Sequence, residues 1–226
     1  MNLYCNLFLG GIFINSWIDL YKSLNDTYGA EPEHKLIEYI DLIDKGKVLD
    51  LGIGTGRNSL FLSELGYEVE GIDITERNIT SYLDKAKNLN LDLKGFVMDI
   101  RDINIPENEY SLIIVSWVLN FFKKSEIDAI IDKIKKGLKP GGLVYFAALS
   151  ALDDFYLKNL DKSCTEENTL FFEDYGTYRY YFANKYDVVH CFDGLETVSL
   201  KTGMELDIDE DIGPHYHNTI EYIGKK

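Results

Sequence analysis

Cysteine is scarce in this chain. Its 226 residues include three, Cys5, Cys164 and Cys191, odd in number, far apart and with no C-x-x-C. That argues against a disulfide framework or a zinc knuckle, and reduced thiols in a cytoplasmic protein are the expectation. Cationic charge is also short: 23 Lys and Arg stand against 38 Asp and Glu, a net charge of −15. Such a surface repels phosphate backbones and anionic lipid heads, so neither nucleic acid nor membrane is expected as a partner. Internal repeats and low-complexity tracts are missing too. So is a long apolar run: "LYCNLFLGGIFINSWI" near the start is interrupted by Asn6 and Asn15. It falls short of the ~18–20 apolar residues of a membrane span. It also lacks the basic leader and the A-x-A-like site of a signal peptide. Residues 1–22 are therefore expected to be an extension that docks or is poorly ordered, and 23–226 a single domain.

What is present is ordinary for a globular chain, 46% apolar and 27% charged, with a strong βα rhythm in the middle. Strands are expected at Lys47–Leu51, Glu68–Ile72, Leu93–Met98, Tyr110–Val118 and Leu143–Leu149. Helices are expected around Glu33–Leu42, Asn58–Leu65, Thr80–Leu89 and from Ser125 onward, where Ser125 and Asp128 resemble a capping box. Gly66 suits a helix C-terminus, and "KPGG" at Lys139–Gly142 suits a turn. Two further strand-like runs, Tyr186–Phe192 and His217–Ile223, predict an antiparallel hairpin at the sheet edge. The acidic stretch between them, including Asp207–Asp211, reads as loop. The fold class is α/β: a doubly wound, Rossmann-like, mostly parallel seven-stranded sheet with an antiparallel C-terminal hairpin.

Most of the chemistry lies in "VLDLGIGTGRNS". Its glycines, Gly52, Gly54 and Gly56, are spaced G-x-G-x-G rather than the G-x-G-x-x-G of dinucleotide folds. Arg57 stands where the third glycine would allow close helix packing against a pyrophosphate. Asp50 adds negative charge just upstream, so the loop suits a ligand carrying positive charge beside a nucleoside. Asp73, ending the second strand, can accept hydrogen bonds from a ribose diol. Asp99, ending the third, can meet an exocyclic amine while Ile100 packs on the ring. These acidic strand ends share the carboxyl edge, where open α/β sheets bind ligands.

In order and spacing, "VLDLGIGTGRNS", "GIDIT", "FVMDI", "YSLIIVSWVLNFF" and "LKPGGLVYFAA" resemble class I S-adenosylmethionine-dependent methyltransferases over about half the chain. "TYGAEPEH", "GRNS", "FFEDYGTYRYYF" and "PHYHNTIEYIGKK" are similar to the tellurite-resistance methyltransferase family. The resemblance implies S-adenosyl-L-methionine as cofactor. It places the main chain at Gly52, Gly54 and Gly56 and the carboxylate of Asp50 near the methionyl part. Asp73, with Ile74 beside it, goes to the ribose, Asp99 and Ile100 to the adenine, Ser116 to the methionine amino group, and Tyr28 to a position closing over the cofactor.

The acceptor side, residues 151–216, is expected to hold a small molecule, an oxyanion of tellurium or selenium by resemblance. Arg179 and His215 are the catalytic candidates, with His217 as an alternative base. The family carries an arginine directly after this histidine. Here Tyr216 follows His215, and no arginine occurs after Arg179. Two other readings remain: a non-catalytic module that binds the nucleoside, and a nicotinamide-dependent oxidoreductase, against which Arg57 argues. The pair His215-x-His217 beside acidic residues invites a metal reading, but no third ligand sits at a fixed spacing, so no metal is expected. The oligomeric expectation is a monomer or homodimer.

Overall fold

The computed structural model of the protein describes residues 31–173, 176–209 and 213–226. Tyr28, and with it residues 1–22, lie outside them. A short helix α1 (His34–Glu38) and a 3-10 turn (Ile40–Leu42) precede the first strand. Five βα-type strands follow: β1 (Lys47–Leu51), β2 (Glu68–Asp73), β3 (Lys94–Val97), β4 (Tyr110–Ser116) and β5 (Leu138–Leu149). Helices α2 (Arg57–Glu64), α3 (Glu76–Asn88) and α4 (Lys124–Gly137) connect them. Beyond β5 come α5 (Asp154–Lys158), the hairpin β6 (Thr169–Phe172) and β7 (Thr177–Tyr180), and α6 (Lys185–Cys191). The long strands β8 (Glu196–Asp209) and β9 (Gly213–Lys225) close the chain.

The main sheet has seven strands in the order β3-β2-β1-β4-β5-β9-β8. The first five are mutually parallel, and β9 runs antiparallel to both β5 and β8. The order reverses between β1 and β4, which opens a crevice at the carboxyl edge. Both sheet faces are covered, so the central strands are mainly apolar, with Asp50 in β1 and Ser111 and Ser116 in β4 among the exceptions. In β4, Leu112 and Ile114 pack on one side, while Ile113 and Val115 pack on the other. Ile127, Ile130, Ile131 and Ile134 form the buried stripe of α4, spaced as a helix requires.

Helix α2 ends as the sequence implies. Gly66 adopts φ +85°, its N–H donates to the Ser63 carbonyl, and the Tyr67 N–H reaches back to Leu62. These two bonds satisfy carbonyls that a helix end leaves orphaned.

Four expectations are corrected. Lys139–Gly142, read as a turn, lie within β5, where the pairing with β4 shifts register between Tyr110 and Leu112. Tyr186–Phe192 is not a strand. Asn184 caps it by accepting from the Tyr186 N–H at 2.8 Å, and Val188 and Phe192, four apart, are the buried pair, so it forms α6. A short apolar run fits both periods, and the cap decides. The hairpin partner of β9 is instead β8, so residues 196–209, read as loop, are strand, and Asp207 through Asp209 continue the pairing. Finally, α4 is capped two residues earlier than expected: the Glu126 carboxylate accepts from the Lys123 N–H at 2.9 Å, while Asp128 pairs with Lys124.

Because an added Cβ at Gly66 meets nothing within 4 Å, Gly66→Ala tests its left-handed backbone alone. The urea midpoint should fall by an amount equivalent to about 1 kcal/mol with an unchanged slope.

Candidate active site

The loop after β1 is held from beneath. The N–H groups of Gly52 and Ile53 donate to the Ile72 carbonyl at 2.8 and 3.0 Å. One carboxylate oxygen of Asp73 accepts from the Gly54 N–H at 3.0 Å and the other from the Thr75 N–H at 2.8 Å. Asp73 thus ties the loop after β1 to the end of β2. Gly54 has φ +54°, and the space a Cβ would occupy is open, so its main chain is bare to whatever lies above. Gly56, at φ +83°, is tight: a Cβ there would run into the Tyr82 ring. That ring also lies against Gly71 and Gly95, which pair with each other across β2 and β3. Three missing side chains make room for one buried phenol under the loop.

Asp50 is buried at the end of β1 and accepts from the Ser59 hydroxyl at 2.7 Å. Loss of water pushes its pKa up to about 7, against the opposing pull of that hydrogen bond and of Arg57, with the Asp73 charge adding to the rise. A cation placed near it would favour its ionised form.

Of the other residues singled out in the sequence, Ile74 and Ser116 stand at this edge. Ile74 keeps 48% of its surface exposed, an apolar face beside Asp73. Ser116, half-buried, ends β4 at the crevice. Asp99 is engaged by Arg101. The guanidinium holds both carboxylate oxygens at 2.6–3.1 Å, the Arg101 N–H adds a bond at 2.9 Å, and Nη1 reaches Glu126 on α4 at 2.8 Å. The Arg101 hydrogen bonds outweigh burial and hold the Asp99 carboxyl below its usual range. Ile100, 4% exposed, packs into the core with Ile72 and Ile103. The geometry therefore offers Ile74 rather than Ile100 as apolar surface for a ring.

Several neighbours escaped the sequence reading. Trp117, directly after β4, has φ +60°, a conformation uncommon outside glycine and often found at functional sites. Its indole N–H donates to Glu33 at 2.7 Å, and the same Glu33 oxygen pairs with Arg57. Arg57 therefore straps the segment before β1 to the start of α2; the Glu33 N–H to Asn58 bond at 2.9 Å adds to it. Asn120, buried, donates to the carbonyls of Leu149 and Tyr180 and accepts from the Leu149 N–H. It locks the exits of β4, β5 and β7 together.

The acceptor side is built from α5 and the β6–β7 hairpin. The Arg179 guanidinium on β7 lies 5.3–5.7 Å from the ring centres of Phe121, Phe155 and Tyr181. Two residues before Phe155, Asp153 is 0% exposed and caps α5 by accepting from the Phe155 N–H at 2.9 Å. Its other oxygen meets His217 Nδ1 at 2.8 Å and accepts from the Asn218 N–H at 3.1 Å. These bonds and the His217 charge keep the Asp153 carboxyl below its usual range despite burial, the largest single influence, which opposes them. His217 lies just beyond the point where β5 stops pairing with β9, at the carboxyl edge. The backbone of His215 pairs with Asp207, and its side chain is outside the described residues. Among the described residues no cluster of His, Cys, Asp and Glu could hold a metal ion, and no helix is long and apolar enough to cross a membrane.

The strand order and the cradle at its switch point define the Rossmann-like fold of methyltransferases. Solved structures agree: an S-adenosylmethionine-dependent methyltransferase of Methanosarcina mazei superimposes with a TM-score of 0.70 at 19% identity, covering 86% of this chain and 98% of that one. TehB from Haemophilus influenzae gives 0.68 at 24% identity, covering 86% and 62%. The family model of tellurite resistance protein TehB matches residues 19–190, and the chain belongs to that family. A Haemophilus influenzae protein described as a probable S-adenosyl-L-methionine-dependent methyltransferase TehB is 35% identical over 119 residues. That match spans 53% of this chain and 41% of the relative, so the chain matches about two fifths of that relative's length.

Burial of Asp50 bears on stability with a definite sign. A carboxyl whose pKa rises on folding leaves stability intact below its unfolded pKa near 4 and erodes it as pH climbs to about 7. Asp50→Asn should therefore gain stability relative to the parent between pH 4 and 7, on the order of 4 kcal/mol at pH 8. Chemical denaturation across this range checks the trend; a difference independent of pH would contradict it.

Proposed function

We propose that the protein transfers a methyl group from S-adenosyl-L-methionine to a small acceptor. The observation that carries the reading is the cradle at Gly54, a bare main chain held in place by Asp73. Family membership supports it, as does the order of strands around the crevice. S-adenosylmethionine supplies an electrophilic methyl group on a sulfonium, already activated, so the protein's contribution is position and exclusion of water. Asp73 keeps lone pairs beyond the two loop N–H bonds with which to accept from ribose hydroxyls. Ile74 offers apolar surface to the adenine. Asp50, ionised more readily beside a cation, and the Gly52–Gly56 main chain suit the sulfonium and methionyl end, with Ser116 near the amino group. The strap of Arg57 to Glu33 favours this over a nicotinamide reading, because the residue in place of the third glycine is committed to a protein contact.

The acceptor reading is an oxyanion of tellurium or selenium. The family name supports it, and so does Arg179, the single arginine in residues 151–226. Aromatic rings around a guanidinium exclude water and strengthen its pull on an anion. His217 is the group suited to take a proton from the acceptor. This replaces His215 in that role, since His217 has the buried carboxylate partner.

Calorimetry with S-adenosylhomocysteine should show binding to the parent, weakened about 10- to 100-fold in Asp73→Ala, as loss of charge-assisted hydrogen bonds implies. Labelled methyl transfer to tellurite or selenite should be detectable and should drop at least about 10-fold in Arg179→Leu, the size expected for one charged contact. Binding without transfer to any oxyanion, thiol or amine would leave only the non-catalytic reading.

A further inference from the structure

We propose that Asp153 is the positioning residue of the acceptor side. Its buried carboxylate holds the His217 imidazole with the proton on Nδ1, so that Nε2 is the edge that accepts a proton. The inference rests on reading His217 as the proton acceptor, and deepens it by naming what makes that imidazole a base of defined orientation.

The argument starts from donors and acceptors. An ionised carboxylate has no proton to give, and the groups around Asp153 hold it ionised. Its Oδ1 is occupied by the Phe155 N–H, which caps α5. Its Oδ2 takes the Asn218 N–H at 3.1 Å and faces Nδ1 of His217 at 2.8 Å. A ring nitrogen that close to an anion must carry the hydrogen. In the neutral imidazole the lone pair is then on Nε2. The ring keeps 22% of its side-chain surface exposed while Asp153 keeps none. Glu205 faces His217 across the β8–β9 pairing.

Placement supports the role. Asp153 is anchored at the start of α5, and the same helix carries Phe155, one of the rings against Arg179. One short helix therefore sets both the anion-attracting guanidinium and the base, a few residues beyond the carboxyl end of β5. No pattern in the sequence marks Asp153 as special. "ALDDF" reads as an ordinary helix cap, and the cap is only half of what its carboxylate does.

Asp153→Asn is the test in the full-length protein. With the amide oxygen kept at the cap, its NH2 faces Nδ1, reversing the tautomer of His217 and giving up the Asn218 N–H bond. Nitrogen-15 correlation spectra at pH 8.5 should show the Nδ1-protonated form in the parent and the Nε2-protonated form in Asp153→Asn. A parent imidazole with its lone pair on Nδ1 would overturn the proposal whether or not methyl transfer is detected. With tellurite as acceptor, kcat should fall about 100-fold in Asp153→Asn, while affinity for S-adenosylhomocysteine stays within about 2-fold. Asp153→Glu should recover part of the rate, and Asp153→Asn combined with His217→Ala should lose no more than His217→Ala alone. Additive losses would mean that Asp153 acts only on folding. Spectra as expected in a protein that methylates nothing would leave the dyad standing and remove the methyl-transfer reading instead.

Discussion

Everything at the carboxyl edge hangs on the two bonds from Asp73 to the N–H groups of Gly54 and Thr75. A glycine loop is conformationally free until something chooses one shape for it. Here the choice is made by an anion at the end of the neighbouring strand, together with the Ile72 carbonyl, which takes two further loop N–H groups. The Tyr82 ring fills the space beneath, which three glycines leave empty. The loop is thereby presented as a rigid surface, and the open face at Gly54 is what remains for a ligand. Buried beside it, Asp50 is poised between its neutral and charged forms near neutral pH, the state in which a nearby cation has most influence on a carboxyl.

The other half of the crevice is built by a different means. Instead of a loop held by an anion, a buried amide, Asn120, ties the exits of β4, β5 and β7. This places the β6–β7 hairpin and α5 beside the strand ends and brings Arg179 among aromatic rings, with His217 against Asp153. The two halves join at Trp117, whose backbone takes an unfavourable conformation at the end of β4 while its indole is held by Glu33. Strain of this kind persists only where surrounding contacts over-determine it.

Much of this architecture was legible in the chain. Each of the five parallel strands was foreseen from short apolar runs bounded by turn residues, and β1 was foreseen residue for residue. β1, β4 and most of β5 are buried on both faces, so their composition marks them, whereas the edge strand β3 is largely exposed and is marked by its place in the βα rhythm. The C-terminal third was harder, because α6 and β8 lack a clean period. An asparagine cap turned one apolar run into helix, and pairing with β9 drew polar residues such as Lys201 and Glu205 into a strand. In the candidate site, Asp50, Asp73 and the glycines were visible because their spacing is local. Glu33, Asn120 and Asp153 were not, since each acts on residues 25 to 84 positions away.

The amino-acid order by itself determined the alternation of strands and helices over the first two thirds of the chain, the acidic residues at the strand tips and the position of the glycine-rich loop, all set by nearest neighbours and by apolar periodicity. Only the tertiary structure decided which carboxylates have work left to give a ligand. It spent Asp99 on Arg101, gave Asp73 to the loop, left Asp50 desolvated, and paired His217 with an aspartate 64 residues away. A carboxylate's role depends on what donates to it and how much water reaches it, and both are set by distances in space that no sequence interval encodes.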